Sequence, residues 1–299
     1  MNCNFSGFIW SPAKPFTSEI LEYINKTFPV LHHYTYEFNK EDFERSILNI
    51  YTTDDIELSK VKNVKIKSMI NHSFSYTYFK FCIETPDFRK KKGTGNNISK
   101  VVEGLKKKIR DRYKTKINNY VHDIIIHISD NYEQTTEIEK IMKNYEKNKI
   151  DEFVNLKYFL KCNFKNNVFD RADILVRKYS IEQYLKDKNY DFGFYKKMQQ
   201  KRVYKGNISD YVMKFKELIE SIQKNGFDNN YPIKYSFNYL LRDGSHRLSY
   251  ILLLNKTFIA VKPMKWDNHR GYSINWFKTN NFNEDELNII NEGLDKLLT

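Results

Sequence analysis

The chain has 299 residues, of which 40% are hydrophobic, 29% charged and 16% aromatic, with only ten glycines and six prolines. That is enough apolar material for one large domain or two average ones, and it excludes a disordered, collagen-like or linker-dominated chain. The formal net charge is +13 and it is local: residues 89 to 116 carry twelve Lys/Arg against Glu103 and Asp111, a segment charge of +10 that leaves +3 for everything else.

The first half alternates strand and helix patterns. Phe5 to Trp10 reads as a short strand, and Ser11-Pro12-Ala13-Lys14-Pro15 follows as a loop. Thr17 or Ser18 can cap a helix to about Phe28, with Ile20, Leu21, Ile24 and Phe28 at the 3.6-residue period. Val30 to Phe38 is β-branched and aromatic and reads as a strand; Glu41 to Tyr51 is amphipathic; Tyr76 to Ile83 is again a strand. A polar loop over 85 to 97 leads to a long basic helix, Ile98 to Ile117. His122 to Ile128 is almost wholly apolar, as in a strand buried on both faces, and Thr135 to Asn148 is a helix. This alternation predicts an α/β layered domain over residues 1–150 with a mainly parallel sheet.

The second half, 151–299, has a different pattern. Asp151 to Tyr195 reads as mostly helical. From Lys205 a compact α+β pattern begins: a helix Tyr211 to Lys224 stopped at Gly226, short strands Pro232 to Tyr235 and Tyr239 to Leu241, and a tight turn at Asp243-Gly244. Ser245 then caps a helix through Leu254, Thr257 to Val261 returns as a strand, and Glu284 to Leu298 is a last helix. The longest aliphatic run, Ile251 to Leu254, is far short of the roughly 20 residues that span a bilayer. The N-terminus shows no basic region before an apolar core, so no secretory signal is expected. Cys3, Cys82 and Cys162 are too scattered for a disulfide framework or a zinc site. The expectation is a soluble, reduced, cytoplasmic protein.

The sharpest chemical signal is Leu241-Arg242-Asp243-Gly244-Ser245-His246-Arg247-Leu248. A strand that turns through Gly straight into a helix leaves backbone N–H groups free to meet an anion. Ser245 adds a hydroxyl and Arg247 a fork that grips phosphate oxygens. Asp243 could hold Mg²⁺ or accept a proton, and His246 could orient a substrate or shuttle a proton. The plain structural alternative is a capped helix with Asp243 and Arg247 paired. Elsewhere, Lys14 in the first loop and Asp130 after the apolar strand are weaker ligand candidates, each of which also reads as an ordinary turn residue. His127 reads as a core histidine, Lys90 to Asn96 as a mobile basic loop, and His32-His33 would face opposite sides of a strand. The basic segment 89–116 attracts phosphate in any form, nucleic acid included, and otherwise is a solvated helix face.

The stretch Phe215 to Gly226 resembles the helix that opens the ParB/sulfiredoxin-like domain. Pro232-Ile233 is similar to its first strand, Leu241 to Leu248 to its nucleotide-binding signature, and Ile259 to Lys262 to its closing strand. The resemblance covers about residues 205–265. Sulfiredoxins place a cysteine where Ser245 stands, which argues against thiol repair. Partition proteins follow the domain with a helix-turn-helix, and the 34 residues after Lys265 leave no room for one. Free-serine kinases of the superfamily carry Asp-Gly-x-His-Arg, the form found here. The resemblance thus implies that Gly244, Ser245, His246 and Arg247 bind the nucleotide. Asp243 with Mg²⁺ and His246 would serve phosphoryl transfer, and Asp210, Glu217 and Glu220 compete for the role of base. The expected function is an ATP- or other nucleotide-dependent kinase acting on a hydroxyl of an amino acid, sugar or polyol. Two alternatives stand beside it: a ParB-like nucleic-acid-binding protein or nuclease, and an enzyme of glycan or surface-polysaccharide assembly using the same nucleotide site.

Overall fold

A computed structural model describes residues 4–91, 95–121, 123–202, 206–265 and 271–298. Contacts divide the chain into two compact units, Met1–Phe153 and Val154–Thr299. The protein is of the mixed α/β class.

In the first unit, β1 (Asn4–Ile9) leads through a 3₁₀ turn into α1 (Thr17–Asn25) and β2 (Val30–Glu37). Next comes α2 (Lys40–Tyr51), whose first turn is capped by Asn39, its side chain accepting from Asp42 N at 2.8 Å. A helical stretch over 58–69 follows, with the π-helical turn Val61–Ile66 at its centre. Then come β3 (Ser75–Cys82), a hairpin of β4 (Phe88–Lys90) and β5 (Asn97–Ser99), and α3 (Lys100–Tyr113), capped by Ser99. The unit continues with β6 (Ile126–Ile128), α4 (Tyr132–Lys143) capped by Asn131, and β7 (Lys149–Asn155).

The sheet order β2-β3-β1-β6 corrects the expectation of a mainly parallel sheet, because every one of these neighbouring pairs is antiparallel. β1 and β2 run parallel to each other, but β3 fills the slot between them. β3 and β6 likewise run parallel with β1 between. These are two interlocked split β-α-β units. Strand–helix alternation looks the same in sequence whether a crossover lands beside its starting strand or one position away, so it could not tell the two apart. Both sheet faces are aromatic: Phe5 packs with Phe81 on one, and Phe8 with Trp10, Tyr76 and Tyr78 on the other. A Cβ at Gly7 would come within 2.2 Å of the Phe79 ring, its register partner, so only glycine fits there.

The second unit opens with α5 (Leu156–Lys161) and a small hairpin, β8 (Phe164–Lys165) with β9 (Val168–Phe169). The strand over 149–155 and this hairpin correct the mostly helical reading of Asp151 to Tyr195. Phe153, Leu156, Phe159 and Leu160 happen to fall at helical spacing across the end of a strand and the start of a helix. Next are α6 (Asp173–Lys186), α7 (Gly193–Lys201) and α8 (Ile208–Asn225). α8 buries Val212, Phe215, Ile219 and Ile222, one stripe of an amphipathic helix. β10 (Ile233–Ser236), β11 (Leu240–Asp243), α9 (Ser245–Ile251), β12 (Phe258–Pro263), α10 (Ile274–Thr279) and α11 (Glu284–Leu298) complete the chain. β10 is antiparallel to β11 and parallel to β12. Among the described residues, no helix is long and apolar enough to cross a membrane. Cys162 is a free thiol, but Cys82 is disulfide-bonded, which corrects the reading of the cysteines as all reduced. Spacing in the sequence does not show which cysteines meet in the fold.

Candidate functional site at the turn between β11 and α9

Apolar burial sets the turn. Leu241 ends in the core on one side, and Leu248 and Ile251 on the other. Between them Gly244 takes φ +91°, and a Cβ there would lie 2.8 Å from Ile233 Cδ1, so glycine is required twice over. Asp243 accepts from its neighbour's N–H, Gly244 N, at 2.6 Å and pairs with Lys234 Nζ at 3.0 Å across the β10–β11 ladder. Partial burial pushes its carboxyl up, but the Lys234 hydrogen bond, the Gly244 N–H and Arg247 together hold it below the ordinary range. It is therefore a carboxylate at neutral pH. It could serve as one ligand of a nucleotide-bound Mg²⁺ by exchanging Lys234, since such an ion needs only one or two carboxylates beside the phosphates. The described residues contain no group of three or more His, Cys, Asp or Glu arranged to hold a metal. Arg247 donates through Nη1 to the Tyr231 carbonyl.

Behind the turn lies a constellation that the sequence reading missed. Asp173, fully buried, is gripped by Arg171 (Nε–Oδ1 2.9 Å, Nη2–Oδ2 3.1 Å) and by Arg177 Nη1 at 2.6 Å, with Arg202 Nη1 at 3.6 Å. Burial alone would raise the Asp173 carboxyl, but the three guanidinium groups keep it well below the usual range. Three arginines on one aspartate leave two positive charges in excess. Arg171 is also the strut of the turn: Nη1 donates to the Leu241 carbonyl at 2.7 Å and Nη2 to Ser245 Oγ at 2.6 Å. The Ser245 hydroxyl is thereby pulled toward the core side of the turn. Arg171-Ala172-Asp173-Ile174-Leu175-Val176-Arg177 did carry a signal, because three charges within an apolar stretch imply buried pairing.

A hydrogen-bond chain sets the state of His246. Arg202 can only donate, so Gln199 turns Oε1 toward it at 3.5 Å and donates from Nε2 to Tyr195 Oη at 2.7 Å. The Tyr195 hydroxyl in turn shares a hydrogen bond with His246 Nε2, 2.8 Å away, whose direction follows the imidazole tautomer. Burial first, then the charges of Arg177 and Arg202, drives the imidazole pKa well below its ordinary value. His246 is thus a neutral ring whose Nε2 is engaged by Tyr195.

Two clefts meet along α8. One, of about 870 Å³, lies between the C-terminal half of α8 and the loop to β10; Ser221, Asn225, Asn229, Asn230, Tyr231 and Arg247 are among its lining. The other, of about 380 Å³, is lined by Tyr195, Tyr211, Lys214, Phe215, Leu218 and His246. Leu218 belongs to both. Asp210 and Glu217 are exposed and stand four residues before the lining residues Lys214 and Ser221, so each sits one helical turn from a cleft wall. Glu220 is not on that stripe, and its carboxylate accepts from the Tyr184 hydroxyl.

The other sequence candidates fall in the first unit. Lys14 donates to Ser75 Oγ at 3.0 Å, and Asp130 pairs with Lys106 at 2.6 Å. His33 stacks on Phe153 and His32 lies against Tyr34; burial leads the causes that lower both to about 3. The loop Lys90 to Asn96 falls partly outside the described residues. Comparisons of the chain with protein-family models, with curated proteins and with solved structures give no match.

Proposed function

We propose that the second unit is a nucleotide-dependent phosphotransferase acting on the hydroxyl of a small molecule. The observation that carries this reading is the placement of Arg247. It follows a glycine-only turn at the start of α9 and stands in the wall of the larger cleft. Phosphoryl transfer needs positioning and charge neutralisation more than covalent help from the protein. Arg247 and the N–H groups after Gly244 would meet the phosphate oxygens, and Asp243 would carry the Mg²⁺ that shields the nucleotide's charge. As the acceptor oxygen bonds to the terminal phosphorus, the bridging P–O bond breaks. The acceptor proton passes to a carboxylate: Asp228 lines the larger cleft, and Asp210 and Glu217 each stand one helical turn from a lining residue. The ParB/sulfiredoxin-like resemblance of the sequence over residues 205–265 is a second support for this reading. The nucleic-acid reading has less support: Lys106 and Arg110, at the heart of the basic segment, are bound to strand carbonyls and to Asp130 and Asp123.

The test is a thermal-shift and turnover screen with Mg²⁺ and ATP, ADP, CTP or GTP on the wild-type chain and Arg247→Ala. A ligand that binds only the folded state raises the melting temperature with its occupancy. Stabilisation by a nucleotide that disappears in Arg247→Ala is the expected result. No response to any nucleotide would make the turn structural.

A further inference from the structure

In the first unit, apart from the β11–α9 turn, a cluster of charged groups is incompletely partnered. His127 lies at its centre on β6, its ring 5.0 Å from that of Tyr51 and 6.3 Å from that of Trp10. On either side of it, Arg110 Nη2 donates to the Ile126 carbonyl at 3.1 Å and Lys106 Nζ to the Ile128 carbonyl at 3.3 Å. Lys65 reaches the same place from the π-helical turn, with its ammonium 3.4 Å from the Tyr51 hydroxyl. Asp54 Oδ2 is 3.7 Å from His127 Nδ1.

The carboxylates nearby are taken. Asp130 pairs with Lys106, Asp123 with Arg110 Nη1 at 3.3 Å, and Asp54 accepts from the Gln134 amide. Among the described residues, half-buried Lys65 has no carboxylate within ion-pairing distance, and it stands near two further cations that, with burial, lower its pKa. His127 Nε2 and Arg110 Nε are buried and lack a hydrogen-bond partner among the described residues. His127 itself is only 6% exposed. Buried polar atoms are nearly always satisfied, so two such nitrogens beside a lysine ammonium with no carboxylate partner call for an explanation. They come from three elements (the π-helical turn, α3 and β6), and π-helical turns are found frequently at functional sites. Donors arriving from several directions suit an oxyanion with oxygens on several sides better than a planar carboxylate.

We propose that Lys65, Arg110 and His127 form a binding site for a small tetrahedral oxyanion, phosphate or sulfate, separate from the nucleotide site of the second unit. In the bound state His127 donates from Nε2 and its Nδ1 accepts from Asp54 in the protonated form. That proton is available at about pH 6 and below, because burial, with the Asp130 charge, pushes the Asp54 carboxyl up to about 6.

The test uses the full chain, with sodium sulfate as the probe, calorimetry for affinity and nitrogen-15 NMR for the histidine tautomers. Saturable binding is expected in the wild type and equally in Arg247→Ala. Lys65→Met should weaken it roughly tenfold or more, and Lys65→Arg should keep most of it. Lys65 is half-exposed, so the folded state should tolerate both changes. At saturation the His127 signals should shift to the Nε2–H form. Absence of saturable binding would overturn the proposal. So would binding insensitive to Lys65→Met, or binding lost in Arg247→Ala alone, which would put the anion in the second unit. An unchanged His127 tautomer would remove the histidine from the site.

Discussion

Asp173 shows how much one side chain can hold. It has no solvent exposure, and its two oxygens receive Arg171, Arg177 and Arg202. Removing one partner of a buried ion pair leaves uncompensated charge, which typically costs 3–5 kcal/mol. Asp173→Ala strands three guanidinium groups and frees the Arg171 strut from its anchor. Chemical denaturation should show a loss of about 3 kcal/mol or more. A loss under about 1 kcal/mol would mean that the arginines find solvent or other partners, and the strut account of the turn would fail.

At the scale of elements, the basic helix α3 has two jobs visible in its spacing. Val102, Leu105, Ile109 and Tyr113 are buried, while Lys106 and Arg110, four residues apart, reach to β6. β6 ends the strand order of the first unit, and the two cations cover carbonyls of Ile126 and Ile128 that would otherwise invite another strand. The double change Lys106→Met, Arg110→Met should therefore promote concentration-dependent association, measurable by sedimentation. A monodisperse variant at high concentration would show that the edge needs no such cover. Part of the +10 segment is thus structural, which the run of lysines alone could not reveal. In sequence, a cation that caps a strand looks the same as one that meets solvent.

For the whole molecule, the buried histidines decide the response to acid. His32, His33 and His127 are lowered to about 3, and His246 also falls well below its ordinary value. Each takes up a proton in the unfolded chain near pH 6.5 but not in the folded one, so stability falls as the pH drops below about 6.5. Each histidine contributes up to about 1.4 kcal/mol per pH unit. Asp54 acts in the opposite direction between about pH 4 and 6, because its raised folded pKa favours the native state as it protonates. Four groups outweigh one. The melting temperature should fall between pH 6.5 and 5, less steeply in His127→Gln. A flat or rising profile would mean that the histidines protonate in place.

The sequence by itself determined the local units: the α8 stripe, the strand–glycine–helix turn at Asp243-Gly244-Ser245 and the aromatic strands of the first unit. Each rests on a periodicity or a turn chemistry contained within about ten residues. Tertiary structure alone decided which strands are neighbours, and so turned an expected parallel sheet into interlocked antiparallel pairs. It also gathered Arg171, Asp173, Arg177, Tyr195, Gln199 and Arg202 behind His246, and Lys65, Arg110 and His127 around Tyr51. These groups come from segments tens of residues apart. Their partnerships follow from burial, which leaves a charged or polar atom only the neighbours that packing supplies, and no local pattern records those neighbours.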